Sequence, residues 1–287
     1  MELPEKDISL QRESRREKIQ VEQWLKNLLD VDKINPAILK RLNLLSSITN
    51  FIEEEKETIQ YADRVFSYYE NKKSNRIFDK LEKDTVKVGL AFADIGKSGP
   101  ASANESQQAL IIRLYNIEGV RDIKDQIQHF IRTRFPETAE RDIELFKEMG
   151  LDPLMPIEKF WRLHSGWTLQ IIEGDGIPKE NLPSAALHHI LEGDNIELMD
   201  EQGNFKTIVD NGEIKLRFGA NASFDRAEKL VVLLDKYEAF LRRVAGMTHD
   251  SAIERLRQLL NKNQKYKNDP EFLELVDDLS EALKDAD

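Results

Sequence analysis

Several kinds of residue and segment are missing from this 287-residue sequence, and each absence excludes a class of structure or chemistry. It has no cysteine, which excludes disulfide bonds, cysteine-ligated zinc, iron–sulfur clusters and thiol nucleophiles. A reducing cytoplasm is the compartment in which such a composition is most common. No run of about 18 apolar residues occurs, and residues 1–30 are densely charged, without the apolar core of a secretory signal. We therefore expect a cytoplasmic protein that does not span a membrane.

Positive charge is also in short supply. The 42 Lys and Arg residues face 53 Asp and Glu residues, which leaves a formal net charge of −11 at pH 7. DNA, RNA and anionic lipid are bound mainly by neutralising phosphate groups, so the net charge does not favour these partners, although a local basic patch is compatible with it. At roughly 100–200 residues per domain, the length of 287 residues allows one large domain or two smaller ones.

Helical periodicity dominates the N-terminal part of the chain. A first amphipathic helix is indicated by apolar residues at Val21, Trp24, Leu25, Leu28 and Leu29. Asn35 and Pro36 then provide an N-cap and a first-turn proline, and an apolar stripe continues through residues 36–69. Because the charged stretch 53–57 interrupts the stripe, one long helix and two shorter helices are both compatible with it. Residues 1–84 are expected to form a helical hairpin or bundle arm.

A mixed pattern follows in residues 85–287. The period changes toward that of a strand at residues 85–92. Further strands are predicted at residues 167–172, 195–199, 205–209 and 213–218, where Asn211-Gly212 supplies a tight-turn signal. The predicted fold is therefore α+β and predominantly α-helical. A small antiparallel β-meander near residues 167–218 would be packed by helices, and the C-terminal helices would occupy residues 224–285.

Residues 91–98 fit a permissive form of the phosphate-binding loop. Their sequence is Ala-Phe-Ala-Asp-Ile-Gly-Lys-Ser. Such a loop binds phosphate through backbone N–H groups, and its Lys and Ser begin a helix. Gly99 and Pro100 follow at once and conflict with a helix that begins at Lys97. An ordinary connecting loop is therefore the favoured interpretation, and no cofactor is predicted.

Glu213 and Lys215, on a predicted strand, resemble the arrangement of the PD-(D/E)xK nucleases. The resemblance covers residues 194–244, and Asp200 and Asp210 lie upstream of the pair. In that family, carboxylates hold Mg²⁺ and a nearby Lys polarises the attacking water or the phosphate. The resemblance implies Glu213, Lys215, Asp200 and Asp210 as candidate catalytic residues.

Arg243 and His249 are similar to the Arg-x(4–6)-His signature of the HEPN ribonucleases, a family of helical proteins. The resemblance implies that the Arg stabilises a phosphorane-like charge and that the His transfers a proton, usually across a dimer. A helix end followed by a capping loop explains the same two residues without catalysis.

The remaining histidines do not predict a metal site. His188 and His189 are adjacent on a predicted helix, where their side chains would point about 100° apart, which does not favour a shared ion. Trp161, His164 and Trp167 form an aromatic cluster at a predicted helix-to-strand junction. Core packing is favoured there over a ligand pocket.

Since no set of reactive residues stands out, the favoured function is that of a non-catalytic interaction or scaffold subunit in a cytoplasmic assembly. Its amphipathic helices would contact other protein subunits or a second copy of the chain. The residues expected to make such contacts include Trp24, Leu28, Phe66 and Tyr69. A metal-dependent nuclease is the first alternative and a helical ribonuclease the second, so the sequence leaves open whether the protein is an enzyme.

Overall fold

The computed structural model describes residues 21–117, 120, 122–173, 176–200, 204–210, 213–218 and 222–284. These residues form mainly α-helices and short 3-10 turns. The α-helices are α1 (Pro36–Ile48), α2 (Phe51–Lys72), α3 (Lys80–Ala93), α4 (Glu105–Tyr115), α5 (Ile127–Arg134), α6 (Ala139–Glu148), α7 (Ile157–Trp161), α8 (Leu163–Ile172), α9 (Leu182–Ala186), α10 (Arg226–Arg243), α11 (His249–Lys262) and α12 (Pro270–Ala282). None of these described helices is both long and apolar enough to cross a bilayer.

The predicted α+β fold with its antiparallel β-meander is wrong. Residues 167–172 belong to α8, and Ile196–Leu198 form a 3-10 turn, so two of the expected strands are helical. Instead of a meander, the structure has a two-stranded antiparallel ribbon of β1 (Thr207–Asp210) and β2 (Glu213–Leu216). The protein is therefore helical, and this ribbon is too small to give it a second structural class.

The strand predictions at residues 85–92 and 167–172 failed because these residues lie in helical segments that are buried nearly all round. Seven of the ten residues of α8 are buried, and they lie on every side of the helix. The predicted strand at residues 85–92 lies in α3, and residues 88–93 at the end of this helix are all buried. A helix without a polar face has no 3.6-residue pattern, so a short apolar run of this kind cannot be distinguished from a buried strand.

The long apolar stripe of residues 36–69 is divided between two helices. Asn35 caps α1 as its sequence predicts, because its side chain accepts the N–H of Ala37 at 2.8 Å. The break comes at Thr49, whose hydroxyl donates to the carbonyl of Leu45 at 2.8 Å and accepts the N–H of Phe51 at 3.1 Å. One threonine thus ends α1 and begins α2.

The contacts of the chain divide it into two compact units, each built from two segments. Unit 1 contains the described residues up to 52 together with residues 94–176, and unit 2 contains residues 53–93 together with the described residues from 177 onward. The predicted boundary at residue 84 falls inside α3.

Unit 1 is organised around the 3-10 turn of Ile95–Ser98, which contacts α1, α4 and α8. Gly96 lies directly on α8 and donates its N–H to Thr168 Oγ1 at 3.1 Å. The larger core of the unit is formed by apolar side chains of α4 to α8, including Leu110, Ile131, Phe146, Phe160 and Trp167.

Arg41 of α1 fixes the segment that follows this turn. Its guanidinium group is buried and donates to Ser98 Oγ at 3.0 Å and to the carbonyls of Pro100 and Ala101, both at 2.8 Å. Burial lowers the pKa of Arg41 to about 10. The carbonyl dipoles therefore compensate a positive charge that is largely removed from water.

Unit 2 is organised around α10, which packs against α3, α9, α11 and α12. The helix begins with a capping box, in which Asp225 and Glu228 each accept the backbone N–H of the other. Beyond it, the residues from Ala227 to Leu234 are all buried. These residues are all buried because α10 is contacted by helices on several sides. A helix that packs on the surface of a domain has only one apolar face.

The close contact at Gly96 predicts a specific loss of stability. A Cβ at this position would lie 1.9 Å from the carbonyl oxygen of His164 and 2.6 Å from the amide nitrogen of Thr168. Because both atoms belong to the backbone of α8, we expect Gly96→Ala to lower the free energy of unfolding by about 3 kcal/mol. Gly150→Ala is the control, since Gly150 has φ +75° and no atom near its Cβ position, and should cost about 1 kcal/mol. Equal losses in urea unfolding would contradict the packing argument.

Glu228 predicts how stability depends on pH. Burial raises its pKa from 4.5 to about 7. Since the folded state then binds a proton more tightly than the unfolded state, this group's contribution to stability falls as pH rises from about 4.5 to about 7. Glu228→Gln keeps a side-chain oxygen for the N–H of Asp225 and removes the charge. We expect this variant to be more stable by about 1–3 kcal/mol at pH 8 and no more stable at pH 4. Urea unfolding across this range is the measurement, and parallel curves for both proteins would refute the assignment.

Candidate functional site

A group of buried charged side chains lies in unit 1, where the 95–98 turn packs on α8. His164 Nε2 lies 3.4 Å from Asp94 Oδ1, and the two residues are only 4% and 9% exposed. Lys97, one turn after Asp94, contacts the other oxygen, Oδ2, of the same carboxylate. We call Asp94, Lys97 and His164 the Asp94 cluster. It combines a buried carboxylate and a buried imidazole with an ammonium group whose side chain is 19% exposed.

The hydrogen bond of the second ring nitrogen determines the chemistry that His164 can perform. Its Nδ1 lies 2.6 Å from the carbonyl oxygen of Trp161. Because a carbonyl only accepts, Nδ1 must carry the hydrogen. Nε2 therefore faces Asp94 either with a lone pair or, in the imidazolium form, with a second proton. Histidines that bind metal ions commonly donate from one nitrogen to a carbonyl and coordinate through the other.

The backbone of residues 91–98 is not arranged as a phosphate-binding loop. The N–H groups of three residues donate inside unit 1: Gly96 to Thr168 Oγ1, Lys97 to Asp94 O and Gly99 to Gly96 O. Such a loop would need these groups to point at a ligand. The Lys of the motif contributes to the Asp94 cluster instead.

A second buried group surrounds Lys236 in unit 2. The Nζ atom of Lys236 lies 2.7 Å from His189 Nδ1, 3.0 Å from Glu192 Oε1 and 3.0 Å from Asp235 Oδ2. We call these four residues the Lys236 cluster. Burial alone would lower the pKa of Lys236, but the nearby carboxylates of Asp235 and Glu192 outweigh it and raise the pKa. The side chain is therefore a stable cation in the interior.

His188, beside this cluster, corrects the argument made from the sequence. Helix α9 ends at Ala186, so His188 and His189 lie in a turn and not on the predicted helix. Their ring centroids are 4.3 Å apart, and one ring nitrogen of each lies within 4.8 Å of the other. His188 is fully buried, and its Nδ1 lies 2.6 Å from the carbonyl of Ala185. The angular argument against a shared ion does not apply to this geometry.

The candidate nuclease residues are only partly described. Asp210 and Glu213 stand opposite each other in the ribbon, and Lys215 pairs with Ile208, but the side chains of all three lie outside the described part of the chain. Asp200 is described, and its Oδ1 accepts the N–H of Asn204 at 2.8 Å. The nuclease assignment stays a prediction.

The two candidate ribonuclease residues lie in different environments. Arg243 is exposed at the end of α10. His249 is buried at the start of α11, where its Nδ1 lies 2.8 Å from the Tyr237 hydroxyl and its Nε2 lies 3.0 Å from the Ser280 carbonyl. Proton transfer by His249 would require it to give up one of these bonds, and this assignment also stays a prediction.

The residues expected to contact partners are mostly packed inside the protein. Trp24, Phe66 and Tyr69 are buried, and Leu28 is half-buried. Tyr69 donates to Asp278 Oδ2 at 2.5 Å. The apolar stripes that contain these residues are covered by the chain's own helices. Their hydrophobicity is therefore explained without a partner.

From the sequence, Asp94 and Lys97 were considered only within the rejected phosphate loop and His189 only as a rejected metal ligand, and Glu192 and Lys236 were assigned no role. Trp167 packs in the core as expected, with its ring 6.3 Å from that of Phe160 in an edge-to-face arrangement. His164, interpreted with it as a core residue, also belongs to the Asp94 cluster. For Lys236, the available signal was an adjacent Asp–Lys pair inside an apolar helix, where two buried charges require partners.

Comparisons with known proteins give no relative of this chain: no family model matches it, and no curated protein or solved structure is significantly similar. We therefore infer a function from the geometry of the two clusters.

The carbonyl contacts predict the tautomers of three histidines. We expect the neutral forms of His164 and His188 to carry their hydrogen on Nδ1, since each Nδ1 lies 2.6 Å from a carbonyl oxygen. His249 should carry it on Nε2, which lies 3.0 Å from the Ser280 carbonyl, and so provides an internal contrast. Imidazole ¹⁵N chemical shifts distinguish the two tautomers. The same tautomer in all three would contradict these hydrogen bonds.

Proposed function

We propose that this protein binds a divalent transition-metal ion through His164 Nε2 and Asp94 Oδ1, and that the ion serves hydrolysis of a phosphate ester. One observation carries the proposal: the Nδ1–H of His164 is committed to the Trp161 carbonyl, so the other ring nitrogen is directed at a buried carboxylate oxygen 3.4 Å away. A lone pair on that nitrogen and the carboxylate oxygen can both serve as ligands of one cation placed between them.

The spacing of the two atoms fits two ligands of one ion. Metal bonds to imidazole nitrogen and carboxylate oxygen are about 2.0–2.2 Å long. At tetrahedral or octahedral angles, two such ligands lie about 3.0–3.5 Å apart. A mixed nitrogen and oxygen donor pair suits zinc, manganese or ferrous iron. The alternative is an ion pair between the imidazolium form of His164 and Asp94, without a metal ion. The metal titration described below distinguishes the two.

Lys97 supplies the second element of the proposed chemistry. Its ammonium group contacts Asp94 Oδ2 and its side chain keeps 19% of its surface exposed. An ion held by His164 and Asp94 can carry a bound water, whose pKa falls to about 7 on a catalytic zinc. A lysine beside the ion would attract the anionic substrate. Phosphate esters are therefore the substrate class that we propose.

Metal binding is tested by titrating metal-free protein with Zn²⁺ and Mn²⁺ in a calorimeter at pH 7.5. We expect the wild type to bind, and Asp94→Asn and His164→Gln to weaken binding at least about 10-fold, because each removes a ligand. His129→Gln is the matched control: His129 and Asp125 form an exposed pair 2.7 Å apart in the same unit, and its loss should leave the affinity unchanged. No binding by the wild type, or equal affinity in His164→Gln, would exclude the site.

Hydrolysis is tested separately, with p-nitrophenyl phosphate and bis-p-nitrophenyl phosphate in the presence of Mn²⁺. Activity that is lost in Asp94→Asn supports the proposed reaction. Metal binding without hydrolysis of either ester would refute the catalytic half of the proposal and leave the metal site in place.

The interaction role expected from the sequence is retained as a second proposal, together with cytoplasmic localisation. It is supported by Ile77 and Leu81 near the start of α3, which are 49% and 57% exposed. Exposed apolar side chains in the segment before α3 and in its first turn suit contact with another subunit or a second copy of the chain. The mass in solution, measured by light scattering, is the observation that bears on self-association.

A further inference from the structure

Two stretches of unit 1, residues 122–132 and 152–162, repeat one sequence pattern. Each has Asp at its first position, Ile at the sixth, Phe at the ninth and Arg at the eleventh. The shared residues are Asp122 and Asp152, Ile127 and Ile157, Phe130 and Phe160, and Arg132 and Arg162. Their burial is shared as well, since the Ile and Phe residues lie in one core and the Asp and Arg residues are exposed. The two stretches are therefore equivalent in sequence and in environment.

Each stretch consists of a tight turn followed by the start of a helix. The Asp carboxylate at the first position accepts the N–H group two residues later, at 3.0 Å for Lys124 and at 2.9 Å for Leu154. Helices α5 and α7 then begin at the equivalent residues Ile127 and Ile157. The local structure thus repeats together with the sequence.

The two helix starts cap each other. Gln126 and Pro156 occupy the N-cap positions, where Ser, Thr, Asp and Asn are preferred, and among the described residues no side chain caps either helix. Instead, the first two N–H groups of each helix donate to carbonyls of the other turn. The four bonds join Ile127 to Met155 at 3.0 Å, Gln128 to Pro153 at 2.9 Å, Ile157 to Asp125 at 3.0 Å and Glu158 to Ile123 at 2.9 Å. Exchanging the two stretches converts each bond into another of the four, so the pair has a local twofold symmetry.

We infer that residues 122–128 and 152–158 form one clasp, which opens and closes as a single unit. Each turn supplies the acceptors that the other helix start lacks, so movement of either turn leaves all four N–H groups without partners. Helix α7 also carries Trp161, whose carbonyl lies 2.6 Å from His164 Nδ1. The clasp therefore fixes backbone beside the Asp94 cluster. The inference rests on contacts within unit 1 and does not depend on a metal ion in that cluster.

Native-state hydrogen exchange of the full-length protein, followed by NMR, tests the clasp in the wild type. The four N–H groups should share one free energy of opening, which lies below that of the slowest amides of the protein. Glu140 of α6 and Asp250 of α11 are the matched controls. Each is the second residue of its helix, and its N–H makes no hydrogen bond to the described part of the chain. After correction for intrinsic rates, the four amides should exchange at least about 10-fold more slowly than these controls.

The two Asp residues provide the perturbation. Asp122→Ala and Asp152→Ala each remove the hydrogen bond that holds one turn. Either variant alone should speed the exchange of all four amides by about 5-fold. Because one opening then breaks both turns, the two factors should multiply to about 25-fold in the double variant. Lys124→Ala is the control, since it changes an exposed side chain of the first turn and keeps the N–H; it should change the rates by less than about 2-fold.

Independent opening of the two turns predicts a different result. Exchange would then follow the sum of two openings, and the double variant would be no more than about 5-fold faster than the wild type. That result would overturn the clasp. Four unequal free energies of opening, exchange at the rate of the controls, opening only together with the slowest amides, or no acceleration in the single variants would overturn it as well.

Discussion

Charge removed from water must be compensated inside the protein, and this requirement determines how both units are built. A buried charge without a partner costs several kcal/mol. Unit 1 compensates Arg41 with backbone carbonyls, and unit 2 compensates Lys236 with the carboxylates of Glu192 and Asp235. In both cases the charge lies on a helix, and part of its compensation comes from an irregular segment: Pro100 and Ala101 for Arg41, and Glu192 for Lys236. The buried charges thus fix the position of segments that have no regular hydrogen bonding of their own.

The two clusters meet this requirement in different ways, and the difference bears on function. In the Lys236 cluster the cation is part of the chain and cannot leave. In the Asp94 cluster a carboxylate lies between Lys97 and His164, and the protonation state of the imidazole decides whether the second partner is a cation. The ion that we propose for the Asp94 cluster would, unlike the Lys236 ammonium, be exchangeable.

The sequence predicted those parts of the fold that depend on local signals. The N-cap at Asn35 and the helices α11 and α12 follow from capping residues and from apolar positions on one face. Helices α3 and α8 were missed as helices because burial on all sides removes the periodic signal. The clusters could not be predicted, since each joins residues far apart in the chain: Asp94 and His164 meet only after α8 packs on the 95–98 turn. His188 and His189 were assigned to a helix because the predicted end of α9 lay a few residues beyond Ala186. The predicted directions of both side chains were wrong for the same reason.

The interleaved order of the segments has a consequence for synthesis on the ribosome. Helix α3 leaves the ribosome before residues 94–176, but its packing partners α9 and α10 follow those residues. The apolar surface of α3 therefore has no packing partners until residues 94–176 have been translated. Nascent chains with such surfaces exposed are the usual clients of chaperones. Neither unit is one continuous stretch of the chain. If the chain is cut once inside residues 53–284, neither of the two fragments contains both units complete.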